Sequence, residues 1–130
     1  MEDLEFTWDG FRGFSKPTSF HVPSIALFIG RNNVGKTSAY APLLMLRQTL
    51  DARSASTALL SLGELIDVGP FRDYATGHDC ERDVGFSVSF PDRPTPRFHG
   101  REAEATLQGM EVRFASSDGQ SAFLNRQRII

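Results

Sequence analysis

The octapeptide Gly30-Arg31-Asn32-Asn33-Val34-Gly35-Lys36-Thr37 constrains this chain more than any other stretch. It fits the spacing G-x-x-x-x-G-K-[ST], in which a glycine-rich turn cradles phosphate oxygens between a strand and a helix. Its neighbours have the required character. Ile25-Ala26-Leu27-Phe28-Ile29 is an apolar run that predicts a buried strand, and Ser38 to Leu50 predicts a helix. Gly30 and Gly35 supply backbone conformations closed to residues with a Cβ. Inward-facing N–H groups and the positive end of the helix then form a concave anion site. In that geometry Lys36 reaches the β and γ phosphates, and the Thr37 hydroxyl is one ligand of a Mg²⁺. The residues expected to hold the nucleotide are Gly30, Arg31, Asn32, Asn33, Val34, Gly35, Lys36, Thr37 and Ser38.

At 130 residues the length predicts a single domain. A hydrophobic content of 40%, including eleven Phe, is enough for a real core. The net charge is -2 and the pI about 5.9, so no broad basic field supports DNA as a partner, although a local patch leaves it open. The single Cys80 has no internal disulfide partner and reads as an idle thiol in a reducing compartment. The start Met1-Glu2-Asp3 is acidic, no signal core follows, and no apolar run approaches ~20 residues. A cytoplasmic protein with no membrane partner is expected.

Leu4 to Trp8 alternates as a strand, Asp9-Gly10 offers a turn, and Ser19 to Val22 reads as a second strand, giving a hairpin-like element ahead of the phosphate loop. The helix is expected to bury Tyr40, Leu43, Leu44 and Leu46, and Pro42 to bend it or confine its regular part to one side. Ala52 to Leu62 reads equally as helix or exposed connection. Leu65 to Gly69 predicts a short strand, Phe71 to Tyr74 a loop, and Gly77-His78-Asp79 a turn. Val84, Phe86, Val88 and Phe90 alternate with Gly85, Ser87 and Ser89, the cleanest strand pattern in the chain. Ala105 to Gln108 and Met110 to Ala115 predict further strands, and Asp118-Gly119 a hairpin returning through Ala122 to Leu124. The second half therefore reads as antiparallel β. The fold class expected for the whole is α/β: a P-loop NTPase N-terminal lobe with a mixed sheet and a substantial antiparallel portion.

Phe11-Arg12-Gly13-Phe14 followed by a second strand and then Gly30 to Thr37 resembles the opening of ABC-type ATPase heads of the SMC, recombination-repair and OLD (overcoming-lysogenisation-defect) branch. Gly63 to Tyr74 is similar to a segment after the P-loop helix in bacterial AAA-type, OLD-like ATPases, several of which serve in defence against phages. The resemblance implies ATP as the nucleotide, a dimeric head formed by a second copy or a partner ATPase lobe, and Arg12 close to the nucleotide.

Hydrolysis needs more than a phosphate cradle. P-loop ATPases hold Mg²⁺ with a second carboxylate at the end of an apolar strand and position an attacking water beside it. The nearest stretch, Leu65-Ile66-Asp67, is too short and runs into Gly69-Pro70. Ser116-Ser117-Asp118-Gly119-Gln120 imitates the family's Leu-Ser-Gly-Gly-Gln signature but reads as a hairpin turn. ATP hydrolysis is therefore expected only when a missing C-terminal lobe or a partner subunit completes the site, and no catalytic residue is assigned. Two alternatives share the P-loop. A small GTPase-like protein would need a D-x-x-G switch and an N-K-x-D guanine reader, and neither occurs. A non-hydrolysing module would use the nucleotide to close an interface. His21, His78 and His99 lack metal-cage spacing, and Arg93, Arg97, Arg101, Arg126 and Arg128 read as solvated charge.

Overall fold

Alternation of apolar and polar residues, period two, builds the central strands of this molecule. A computed structural model describes residues 4–31, 35–52, 58–90, 97–98, 101–102 and 108–130. The strands are β1 (Leu4–Asp9), β2 (Thr18–Val22), β3 (Val84–Ser89), β4 (Arg97–Phe98), β5 (Arg101–Glu102), β6 (Gly109–Ala115) and β7 (Phe123–Ile129). The helices are α1 (Lys36–Asp51) and the single-turn α2 (Phe71–Tyr74). Five strands form one sheet in the order β2-β1-β3-β6-β7, and β4 with β5 makes a separate two-stranded ribbon.

Register places the apolar residues together. Phe6 stands opposite Val88, Trp8 opposite Phe86, Phe86 opposite Val112, and Val84 opposite Phe114. Residues directly opposite share a face, so one side of the sheet is aromatic and branched-aliphatic. The other side carries Glu5, Thr7, Asp9, Ser87, Glu111 and Arg113. The apolar side is where the core sits: Trp8, Phe11, Phe71, Tyr74, Phe86, Met45 and Val84 are all fully buried. The Trp8 and Phe86 rings meet edge-on at 5.6 Å, Phe11 and Phe86 at 5.8 Å, and Phe71 and Tyr74 at 5.2 Å. Such tilted contacts stabilise beyond the area they bury.

α1 lies on this side and is fastened at both ends. The Trp8 indole N–H donates to the Ala39 carbonyl at 2.9 Å, tying the first turn to β1. Near the other end, buried Gln48 donates to the carbonyls of Leu60 (2.7 Å) and Ile66 (3.2 Å), and its amide oxygen accepts from the Ile66 N–H (3.2 Å). One side chain thus satisfies three backbone groups of the loop beyond the helix. Gly63 is required beside it, since a Cβ there would stand 2.5 Å from Gln48 Oε1.

The expected α/β lobe with a mixed sheet is overturned. Every strand pairing among the described residues is antiparallel, and α1 is their single long helix, so this is a small β-rich protein. A parallel pair needs a crossover that returns a strand beside its predecessor. The segment 25–29 is followed by a helix, but the next strand, β3, pairs with β1 and β6 instead. Residues 25–29 therefore belong to no strand and form no backbone hydrogen bond among the described residues. Ile25, Leu27 and Ile29 are 89%, 82% and 85% exposed. The predicted buried strand fails because an apolar run is buried only where a neighbour covers it.

Smaller corrections follow the same physics. The buried stripe of α1 is Ser38, Ala41, Pro42, Met45 and Gln48, whereas Tyr40, Leu43, Leu44 and Leu46 are half-buried. The helix continues on both sides of Pro42. Leu65 to Gly69 is a turn-rich loop with one isolated bridge, Leu62 to Asp67, and the expected loop at Phe71 to Tyr74 is α2. Thr76–His78 is a 3₁₀ turn. β1, β2, β3, β6 and the hairpin to β7 lie where the alternation placed them. Residues 53–57, residues 105–107, Arg93 and His99 fall outside the described residues.

Candidate functional site: the N-terminus of α1 and the Arg12 loop

Gly35 forms the N-cap of α1 with φ 93° and ψ 17°, in the left-handed region that only glycine enters without cost. An added Cβ would meet nothing within 4 Å, so it is the backbone angle rather than crowding that calls for glycine here. Among the described residues no side chain caps the helix, and no acidic residue occupies its first turn. The first N–H groups of a helix have no intrahelical partner, and the helix dipole adds partial positive charge at that end. Without a carboxylate or cap to answer it, this terminus is suited to an anion.

Two cations stand near it, Lys36 as its first residue and Arg12 at its first turn. Lys36 Nζ donates to the Gly30 carbonyl at 2.6 Å, folding the ammonium back over the start of the loop. Arg12 Nη1 donates to Ser38 Oγ at 3.3 Å, so the Arg12 loop touches the first turn of α1. Thr37 is exposed, whereas Ser38 is buried against the fold and meets Arg12. Gly30 and Arg31 are exposed, and Asn32, Asn33 and Val34 lie outside the described residues. Phe28 packs on Tyr40 at 5.8 Å between ring centroids, which links the segment before the loop to the helix after it.

Arg12 owes its place to the β1–β2 connection. Gly10 turns the chain at φ 72°, where a Cβ would also stand 2.6 Å from the Asp83 carbonyl. The Gly10 N–H donates to the Phe14 carbonyl at 2.7 Å, and the Phe14 N–H donates to the Phe11 carbonyl at 2.9 Å. Phe11 is thereby driven into the core, and Arg12 is left on the rim with φ 47°. Its guanidinium carbon sits 5.7 Å from the Phe11 ring centroid. Of the residues that hold this loop, Tyr74 closes the Gly63 to Tyr74 stretch and Thr76 belongs to no motif. Burial pushes the Tyr74 phenol far above its ordinary pKa, so it remains neutral.

Other candidates stand apart from this site. Asp67 Oδ1 accepts from the Gly69 N–H at 2.9 Å and closes an exposed turn. Ser116 to Gln120 joins β6 to β7, with Asp118 Oδ1 accepting from the N–H groups of Gln120 (2.8 Å) and Ser121 (3.1 Å). These bonds hold the Asp118 carboxyl below its ordinary pKa. His78 Nδ1 lies 2.8 Å from the Arg72 carbonyl, which can only accept, so Nδ1 bears the proton and the ring is a turn brace. Among the described residues no group of three His, Cys, Asp or Glu could hold a metal. For a Mg²⁺ carried in with phosphates, exposed Thr37 could supply one hydroxyl oxygen, and the other donors would be phosphate and water.

Two further features complete the surface. On the polar side of the sheet, Asp9 is shared between Arg82 and Arg113, at 2.9 Å to each, and Arg113 also meets Glu111 at 3.3 Å. Burial works against the Arg113 charge, but the hydrogen bonds to Asp9 and Glu111 prevail and raise its pKa. On the apolar side, an open cleft of about 410 Å³ lies between α1 and the sheet, lined by Phe6, Leu46, Leu50, Val88, Met110 and Leu124 among others. Its lining is almost wholly apolar, which suits it poorly to phosphate. No helix among the described residues is long and apolar enough to cross a membrane. Compared with family models, curated proteins and solved structures, the chain matches none of them.

Proposed function

We propose that residues 30–38 bind the phosphate tail of ATP together with Mg²⁺, and that the chain is the nucleotide-binding portion of an ABC- or OLD-like ATPase. Its hydrolytic residues would come from a second lobe or a partner subunit, and its setting would be cytoplasmic. One observation carries this reading: a helix that among the described residues has no side-chain cap, is headed by left-handed Gly35, begins with Lys36 and is met at Ser38 by Arg12. Backbone amides, helix dipole and two cations of one sign are what a triphosphate requires.

The dependence on a second component is supported by what surrounds the loop. Among the described residues, no carboxylate bonds to the α1 terminus, and Asp67 is occupied in a turn. Among the described residues nothing pairs with the backbone of 25–29, and Ile25, Leu27 and Ile29 are exposed, which suits the segment to pairing with another polypeptide. The same features fit a module that uses ATP to close an interface without hydrolysing it.

Calorimetric titration with ATP·Mg²⁺ and with GTP·Mg²⁺ tests the proposal. Saturable binding that prefers ATP, disappears in Lys36→Ala and is accompanied by negligible turnover is expected. Preference for GTP would move the chain to the GTPase class. Turnover at ordinary enzymatic rates by the pure chain, lost in Lys36→Ala, would remove the need for a second component. A non-hydrolysable ATP analogue that enlarges the species on size exclusion would favour the interface-closing module.

A further inference from the structure

We propose that Thr76 is a positioning residue for the phosphate site, acting through Arg12; the proposal rests on the P-loop reading above. Arg12 adopts φ 47°, a conformation that residues with a Cβ seldom take and keep only when their surroundings impose it. The imposing element is the short stretch after α2. The Arg12 N–H donates to the Tyr74 carbonyl at 2.7 Å, and the Thr76 hydroxyl donates to the Arg12 carbonyl at 2.7 Å. The Thr76 N–H donates to the Gly10 carbonyl at 2.9 Å, and Phe11 bridges to Ala75. Both backbone polar groups of Arg12 are thereby held by a segment distant in sequence, Thr76 lying 64 positions away.

This clamp is itself rigid. Phe71 and Tyr74 are fully buried, and the Ala75 N–H donates to the Phe71 carbonyl at 3.0 Å. The peptide plane of Arg12 therefore cannot rotate toward a relaxed conformation without breaking a hydrogen bond to an anchored partner. From that fixed Cα the guanidinium reaches Ser38 Oγ with one of its five N–H donors, leaving the others available to an anion at the α1 terminus. The backbone bonds to Tyr74 and Gly10 would hold the loop as part of the fold whatever residue occupied position 76. The hydroxyl bond is the one contribution that depends on the Thr76 side chain, and it fastens the carbonyl of the residue that carries the cation.

ATP·Mg²⁺ affinity and thermal unfolding measured on wild type, Thr76→Val, Thr76→Ser, Arg12→Ala and the Arg12→Ala/Thr76→Val pair test this. Thr76→Val is expected to weaken ATP binding roughly three- to tenfold, the range of one lost hydrogen bond, while Thr76→Ser stays near wild type. With Arg12 already replaced, Thr76→Val should cause no further loss. Thr76→Ala runs alongside, so that a folding failure of one variant leaves the other to decide. Wild-type affinity in Thr76→Val or Thr76→Ala overturns the inference, as does the same loss with and without Arg12. ATP binding that needs Lys36 yet ignores both Thr76 and Arg12 overturns this inference alone. A wild-type chain that binds no ATP overturns the P-loop reading, and this inference with it.

Discussion

The aromatic core around Trp8 and the segment that leads into α1 are both rich in apolar residues, yet they live under opposite conditions. Trp8 contacts Phe6, Phe20 and Phe86, donates to Ala39, and is 1% exposed. Residues 25–29 have a comparable hydrophobic content but no strand beside them, and Leu27 is 82% exposed. Hydrophobicity alone therefore does not decide burial. The core is closed because β1, β3 and β6 find one another within the chain, whereas among the described residues no strand pairs with the approach to α1, and of its large side chains only Phe28 is packed, on Tyr40. A region left open in this way is available to a ligand or a second polypeptide, and functional segments are commonly drawn from such weakly held parts.

The contrast can be broken most forcefully by truncation. Trp8→Ala should cost about 3–5 kcal/mol, a large share of the ~5–15 kcal/mol that holds a domain together. Leu27→Ser should change stability by no more than about 0.5 kcal/mol, because that side chain is mostly exposed. Urea unfolding followed by intrinsic fluorescence would show both for Leu27→Ser, and circular dichroism for Trp8→Ala, which removes the only tryptophan. Equal losses at the two positions would mean that 25–29 is covered after all. Next in size is Gln48→Leu, which strands the Ile66 N–H and the carbonyls of Leu60 and Ile66 and should cost about 1–3 kcal/mol. Asp9→Ala removes the acceptor shared by two half-buried arginines, and about 1–2 kcal/mol is expected, between the exposed and buried extremes for ion pairs.

The smallest effect is a pH dependence at the β6–β7 turn. The folded Asp118 carboxyl titrates below the ~3.9 of an unfolded chain. Its contribution is therefore complete above that value and fades as pH falls toward the folded one. Asp118→Asn should flatten only the acid limb of the stability curve, below about pH 4, when urea midpoints are compared between pH 3 and pH 6. Loss of stability that appears only near neutrality would assign the turn to a different group.

Much of the sheet was legible because its code is local. Val84, Phe86 and Val88 alternate against glycine and serine, and Asp118-Gly119 marks a reversal that the structure places between β6 and β7. The helix start was equally legible from Gly35-Lys36. What escaped is non-local. The buried stripe of α1 is rotated from the leucines toward Ala41, Met45 and Gln48, since the helix is aligned by the Trp8 indole and by the loop that Gln48 braces. Residues 25–29 were read as buried because the run is continuous, but no periodicity says whether a neighbouring strand exists. At the candidate site, Lys36 announced itself through spacing, whereas Thr76 could not, since its contact with Arg12 exists only once α2 has docked against the core.

The central claim concerns one place on the molecule, so the most direct test reads position. Backbone amide resonances followed by NMR during titration with ATP·Mg²⁺ should shift at Gly35, Lys36, Thr37 and Ser38, with a smaller response at Arg12. Val84 and Phe86 should be silent, and Lys36→Ala should abolish the pattern. Saturation with no change at residues 35–38, or shifts confined to the apolar cleft between α1 and the sheet, would contradict the account.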